Sequence, residues 1–237
     1  LDKELTMRVF VAGATGAIGR ELVPRLVAAG HEVHGMTRKV SNRAVLEEMG
    51  AVPAVADALD AGQVAAAVAR AKPDVIVHQL TAIGTVNPKH MERDFAPTNR
   101  LRTEGTDHLL SARQAVGVMR FVAQSHIAPY GRVGGPVKSE DDPLDRAPTA
   151  GLRANLEAIE HLEEAVLGAA WTEGIVLRYG WFYGPGTSMA RGSEQAEMIR
   201  KRMFPLVGDG GAVWSFIDVG DAAAASVTSP VAELSGR

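Results

Sequence analysis

The chain has 237 residues, 46% of them hydrophobic and 22% charged, with a formal net charge of −3. That composition suits a globular protein with a core of its own, gives no basic footprint for nucleic acid, and includes no apolar run of membrane-spanning length. Cysteine is absent, which excludes disulfides, thiolate zinc sites and cysteine nucleophiles, and the seven histidines are scattered without ligand spacing, so no metal site is expected.

Residues 1–6, LDKELT, are polar and off-pattern and read as an expression remnant ahead of Met7. No signal peptide is recognisable, which makes a cytoplasmic location the default. From there, β-rich runs at 8–13, 32–37, 51–56, 74–80, 119–125 and 174–180 alternate with helical patterns at 17–29, 41–49, 61–71, 99–116 and 153–167. This alternation predicts an α/β fold with a doubly wound parallel sheet of the Rossmann type. In the first helical pattern Ile18, Leu22, Leu26 and Ala29 share one face, while Pro24 is expected to kink the helix slightly. The segments 131–151 and 184–194 are rich in Gly and polar residues and read as binding loops or lids over the carboxyl edge of the sheet.

Gly13-Ala14-Thr15-Gly16-Ala17-Ile18-Gly19 follows a predicted strand and opens a predicted helix. Its glycines allow a tight turn, close approach of backbone to a pyrophosphate, and close helix–strand packing, so the segment reads as a dinucleotide site. The second strand ends in GMTRKVSNR, where Arg38 offers a phosphate partner and no acid waits for a ribose hydroxyl. NADP is therefore expected ahead of NAD.

The glycine spacing, with VADALD (55–60), VIVHQLTA (75–82), EGTDHLLSARQAVGVMRFVAQS (104–125), LRYGWFYGPGT (177–187) and WSFIDVGDAAAA (214–225), resembles the extended short-chain dehydrogenase/reductase superfamily, in its NAD(P)-dependent epimerase/dehydratase branch. The resemblance implies a dinucleotide-binding Rossmann domain over 7–180 and a small substrate lobe over 181–237, either reduced or continuing past Arg237. It implies cofactor contacts at Gly13 to Ile18, at Asp57 and Ala58 near the adenine, and at Leu80, Thr81, Ser125, Tyr179, Gly180 and Phe182 near the nicotinamide. It also implies a small-molecule substrate and a homodimer formed through the helices at 99–116 and 153–167.

One family feature is missing. Members carry Tyr-x-x-x-Lys on the helix that corresponds to AGLRANLEAIEHLEEAV (150–166), yet this helix has neither residue. Gly151 or Leu152 stands where Tyr is expected, and Asn155 or Leu156 where Lys is expected. His126 falls where the family has Ser or Thr, which makes His126, with Tyr130, the candidate acid/base. Trp214 stands where nucleotide-sugar relatives place an Arg, so that Trp181 and Trp214 suggest an aromatic-lined pocket. The expected function is an NAD(P)-binding oxidoreductase acting on a carbonyl or carbinol. The alternative is a non-catalytic NADP-binding redox sensor or scaffold.

Overall fold

The computed structural model describes residues 6–84, 90–115, 117–127, 130, 135, 137–145, 148, 150–203 and 214–231. Six parallel strands form the main sheet: β1 (Arg8–Ala12), β2 (Glu32–Thr37), β3 (Val52–Val55), β4 (Val75–His78), β5 (Arg120–His126) and β6 (Glu173–Tyr179). Their order across the sheet is β3-β2-β1-β4-β5-β6. The chain therefore winds outward from β1 to β3, returns to β4 on the other side of β1, and winds outward again. The reversal opens a crevice at the carboxyl ends of β1 and β4, where doubly wound sheets bind their ligands.

Both faces of the sheet are covered, which is why its central strands are apolar throughout rather than alternating with polar residues. On β1, Phe10 and Ala12 point to one face and join Met36, Ile76 and Phe121 in one core. Val9 and Val11 point to the other face and join Val33, Val75, Val77 and Val122. The first core is closed by α3 (Ala61–Ala71), α5 (Thr106–Gln114) and α6 (Ala150–Leu167), through residues such as Val64, Leu109 and Leu162. The second is closed by α1 (Ala17–Ala28) and α8 (Val219–Val231), through Leu22, Leu26 and Val219. α1 accommodates Pro24 within its span, on its exposed side.

The helix expected over 99–116 is in fact three pieces: α4 (Met91–Arg100), a five-residue π-helical turn (Leu101–Gly105), and α5. A π-turn widens the backbone locally and commonly marks a functional position. α2 (Arg43–Glu48) is shorter than its sequence pattern, because a 3₁₀ turn occupies Val40–Asn42. After β6 the chain leaves the sheet. β7 (Trp181–Tyr183) pairs in parallel with β8 (Phe216–Asp218), and α7 (Glu194–Arg200) lies between them in sequence. Of the predicted loops, 184–194 holds turns up to the start of α7, whereas much of 131–151 lies outside the described residues. Among the described residues no helix is long and apolar enough to cross a membrane.

Candidate active site

The glycine loop sits at the mouth of the crevice. Gly13 adopts φ +93°, and a Cβ there would lie 2.6 Å from the carbonyl oxygen of Gln79. A Cβ on Gly19 would lie 2.4 Å from the Gly13 carbonyl oxygen. Neither position can hold a side chain, so the loop lies flat against the end of β4 while α1 packs hard on β1. The N-terminus of α1 has no side-chain cap, since Gly16 is its cap residue, and no acid in its first turn. A twelve-residue helix thus presents its positive end and uncapped N–H groups to the crevice, and this cradle fits the diphosphate of a dinucleotide.

Neighbouring loops frame the cradle. Asn42 Nδ2 donates to the Thr15 and Thr37 hydroxyls at 3.3 and 3.1 Å, tying the loop after β2 to the glycine loop. Arg38 and Lys39 on that loop, and Arg43 at the start of α2, are exposed and form no ion pair among the described residues. Beyond β3, Asp57 accepts from the Leu59 N–H at 3.0 Å, and Ala58 is buried beneath it.

At the end of β4 a hydrogen-bond chain fixes the backbone. The Leu80 N–H donates to His78 Nδ1 (3.2 Å), which makes Nε2 the protonated nitrogen facing Thr106 Oγ1 (3.0 Å). The Thr106 hydroxyl in turn donates to the Arg102 carbonyl at 2.6 Å, inside the π-turn. Burial pushes His78 down from 6.5 to about 4, with a further push from the Arg102 charge, so the ring is neutral at physiological pH. Leu80 and exposed Thr81 follow directly, at the crevice.

The end of β5 is organised differently from the expectation for Ser125. That side chain is buried, and its hydroxyl donates to Glu163 Oε1 on α6 at 2.5 Å. Arg178 on β6 clasps the same carboxylate with Nε at 3.0 and 3.2 Å and Nη2 at 2.6 Å. Its Nη1 donates to the Tyr130 hydroxyl at 2.9 Å, and the guanidinium also stacks over the Tyr130 ring at 5.1 Å. Tyr179 points to the opposite face, where its hydroxyl meets Ala222 O (3.1 Å) and Ser226 Oγ (2.8 Å) on α8. Burial raises its phenol to about 12. Gly180 and Phe182 follow at the entry to β7, and the Phe182 ring lies 5.5 Å from that of Tyr179.

On α6, Leu156 is buried, whereas Asn155 Oδ1 accepts from Arg102 Nη1 at 2.7 Å. The position of the expected lysine is thus an amide holding a guanidinium that arrives from the π-turn. Arg102 is 6% exposed. His126, at the end of β5, meets Trp181 edge to face with ring centres 5.4 Å apart, and Trp181 meets Trp214 at the same separation. Burial, with a lesser push from the Arg102 charge, lowers His126 from 6.5 to about 4.

Thus the glycine loop, Arg38, Leu80, Thr81, His126 and Phe182 all lie along the carboxyl edge of the sheet, while the Ser125 and Tyr179 hydroxyls are bonded to Glu163 and to α8. Sequence reasoning passed over Arg102, Glu163 and Arg178. A usable signal existed for the first: Arg102, Thr106, Leu109 and Arg113 recur at helical spacing, which puts two arginines on the inward stripe of an otherwise apolar face.

Three comparisons relate the chain to known proteins. The model for the NAD dependent epimerase/dehydratase family matches residues 9–230. The chain is 44% identical over 231 residues to a Streptomyces 3-diazoavenalumate denitrifying reductase, covering 97% of this chain and 74% of that one. It is 28% identical to a Stigmatella aurantiaca 4-hydroxy-2-methyl-3-oxo-4-farnesyl-3,4-dihydroquinoline-1-oxide ketoreductase, covering 86% of this chain but only 58% of the relative. Among solved structures, the Thermus thermophilus UDP-glucose 4-epimerase in complex with NAD superposes with a TM-score of 0.73 at 26% identity, covering 96% of this chain and 75% of that chain.

Proposed function

The chain belongs to the NAD dependent epimerase/dehydratase family, and from that premise we propose that it is an NAD(P)H-dependent reductase whose hydride transfer needs no proton from the protein. The observation that carries this reading is the missing family pair, together with the state of His126 and Tyr179 among the described residues. The Tyr-x-x-x-Lys pair is absent. Burial lowers His126 to about 4, so at neutral pH its ring is uncharged and is a poor general acid. Tyr179 is a weaker acid than a free phenol and faces α8.

A substrate that leaves as it is reduced suits such a site. When bound, the reduced nicotinamide supplies a hydride, which at an arenediazonium carbon forms one C–H bond. The C–N bond breaks, its electron pair departs with N2, and no proton is taken up. The name of the 44% identical relative, a diazo-compound denitrifying reductase, supports the same class. The protein's part is placement. The glycine loop and the α1 N-terminus would hold the diphosphate. Arg38 favours a 2′-phosphate and hence NADP. The pinned Leu80 backbone and the Gly180–Phe182 turn would flank the nicotinamide, and His126, Trp181 and Trp214 would line the substrate side.

The test is NADPH oxidation with 4-carboxybenzenediazonium beside a panel of aldehydes and ketones, against controls without protein. The proposal expects oxidation in step with N2 release and none with the carbonyls. Oxidation by carbonyls alone would restore the carbonyl reading. Tight NADPH binding with no turnover of either class would favour a sensor or scaffold.

A further inference from the structure

Arg102 is an unusual residue to find where it is. It lies on the π-turn, is 6% exposed, and among the described residues its side chain makes one hydrogen bond, to the neutral Asn155, and no ion pair. Two other arginines show what the fold does elsewhere. Arg178 is matched to the carboxylate of Glu163. Arg113 lies over the Trp171 ring at 4.4 Å, with its Nε and Nη2 sealed from solvent and unpartnered. The remaining Arg102 nitrogens are not sealed in this way. Burial lowers Arg102 to about 10 with no carboxylate close enough to oppose the shift, so it stays charged at neutral pH. Its charge reaches both His78 and His126, and both rings are neutral. Among the described residues, one full positive charge is therefore buried near the ends of β4 and β5 without a counter-ion.

Such a charge costs several kcal/mol unless an anion meets it. The cofactor is a poor candidate for that anion. Its diphosphate belongs at the α1 N-terminus beside β1, any 2′-phosphate belongs beside Arg38 at the end of β2, and the nicotinamide end carries no negative charge. Beside the nicotinamide at the ends of β4 and β5, the remaining ligand to reach Arg102 would be the substrate. His126, which feels the Arg102 charge, meets Trp181 edge to face, and Trp181 in turn meets Trp214, which is 57% exposed. This ladder of aromatic edges and faces offers a flat ring a surface on which to stack.

We propose that the substrate is an aromatic carboxylate, with its carboxylate on the Arg102 fork and its ring against Trp181 and Trp214. Asn155 holds the fork through Nη1, leaving Nε and Nη2 as a parallel pair of donors for two carboxylate oxygens. The proposal rests on the reductase reading for its chemistry, but recognition of the acid can be measured without turnover.

The experiment is equilibrium binding of cinnamate and cinnamamide to the NADP⁺-loaded full chain, followed by quenching of tryptophan fluorescence. Wild-type protein is expected to bind the acid at least about tenfold more tightly than the amide, the margin of one charge-assisted contact. Arg102→Met should abolish that preference while leaving amide binding and NADP⁺ affinity within about threefold; Arg102→Lys should retain part of it. Equal affinity for acid and amide in the wild type, failure of both to bind, or a preference that survives Arg102→Met would overturn the proposal. Loss of NADP⁺ affinity in Arg102→Met, with acid and amide already equal in the wild type, would instead make Arg102 a cofactor-ribose contact. Acid-selective binding without hydride transfer to any diazonium would leave this proposal standing and defeat the reductase reading. Turnover of a carboxylate-free arenediazonium with no preference for the acid would do the reverse.

Discussion

Replacing Glu163 by Gln keeps the size of the side chain and removes the charge on which the β5–β6 edge is built. The carboxylate is 6% exposed and faces an Arg178 side chain that is 22% exposed. It receives three guanidinium contacts between 2.6 and 3.2 Å as well as the Ser125 hydroxyl. Removing one partner of a buried ion pair costs about 3–5 kcal/mol, because the other charge is left uncompensated. Arg178 keeps some solvent contact, so the lower end, about 3 kcal/mol, applies. For a chain of this length that corresponds to a fall in Tm of about 6–12 °C. Urea and thermal denaturation of Glu163→Gln measure it directly. The double variant Glu163→Gln/Arg178→Met should recover a large part of the loss, since no charge is then stranded. A single-variant loss below about 1 kcal/mol, the size typical of an exposed pair, would refute the view that this ion pair organises the edge.

Further predictions follow from the same geometry. His78 and His126 each have a folded-state pKa near 4 against 6.5 in the unfolded chain, so unfolding takes up protons below pH 6.5. Stability should be full above that value and fall as pH drops from 6.5 towards 4, by on the order of 3 kcal/mol per histidine; in denaturation measured across this range, His78→Asn should remove one share of the slope. Gly19→Ala forces a Cβ to within 2.4 Å of the Gly13 carbonyl, and should weaken NADPH binding at least tenfold by fluorescence titration, with a lower Tm. Arg38→Asp should reduce NADP⁺ affinity at least tenfold by calorimetry while leaving NAD⁺ within about threefold; equal losses for both would remove Arg38 from the cofactor argument.

The sheet was legible in the sequence because its strands are short apolar runs bounded by glycine and by helical periodicity, a pattern that local chemistry dictates. The glycine loop was legible for the same reason, since Gly13 and Gly19 answer to backbone clashes within a few residues or across one strand. The π-turn was not, because its departure from α-helical pairing depends on where His78 and Asn155 anchor it, from β4 and α6. Ser125 and Tyr179 show the same limit. Their positions on the strands were evident, but side-chain direction depends on Glu163, thirty-eight residues from Ser125, and on Ser226, forty-seven from Tyr179. The absence of Tyr-x-x-x-Lys was visible in the sequence, whereas the state of the remaining proton donors needed their three-dimensional neighbours.

The central claim is a hydride delivered to carbon with no proton from protein or solvent. The most direct measurement uses NADPH stereospecifically deuterated at nicotinamide C4, with 4-carboxybenzenediazonium as substrate, in H2O and in D2O. The account predicts one deuterium in the benzoate product from one C4 position of the cofactor, none from D2O, and a solvent isotope effect near unity. Deuterium arriving from D2O, or transfer without preference between the two C4 positions and no faster than in the control without protein, would contradict it.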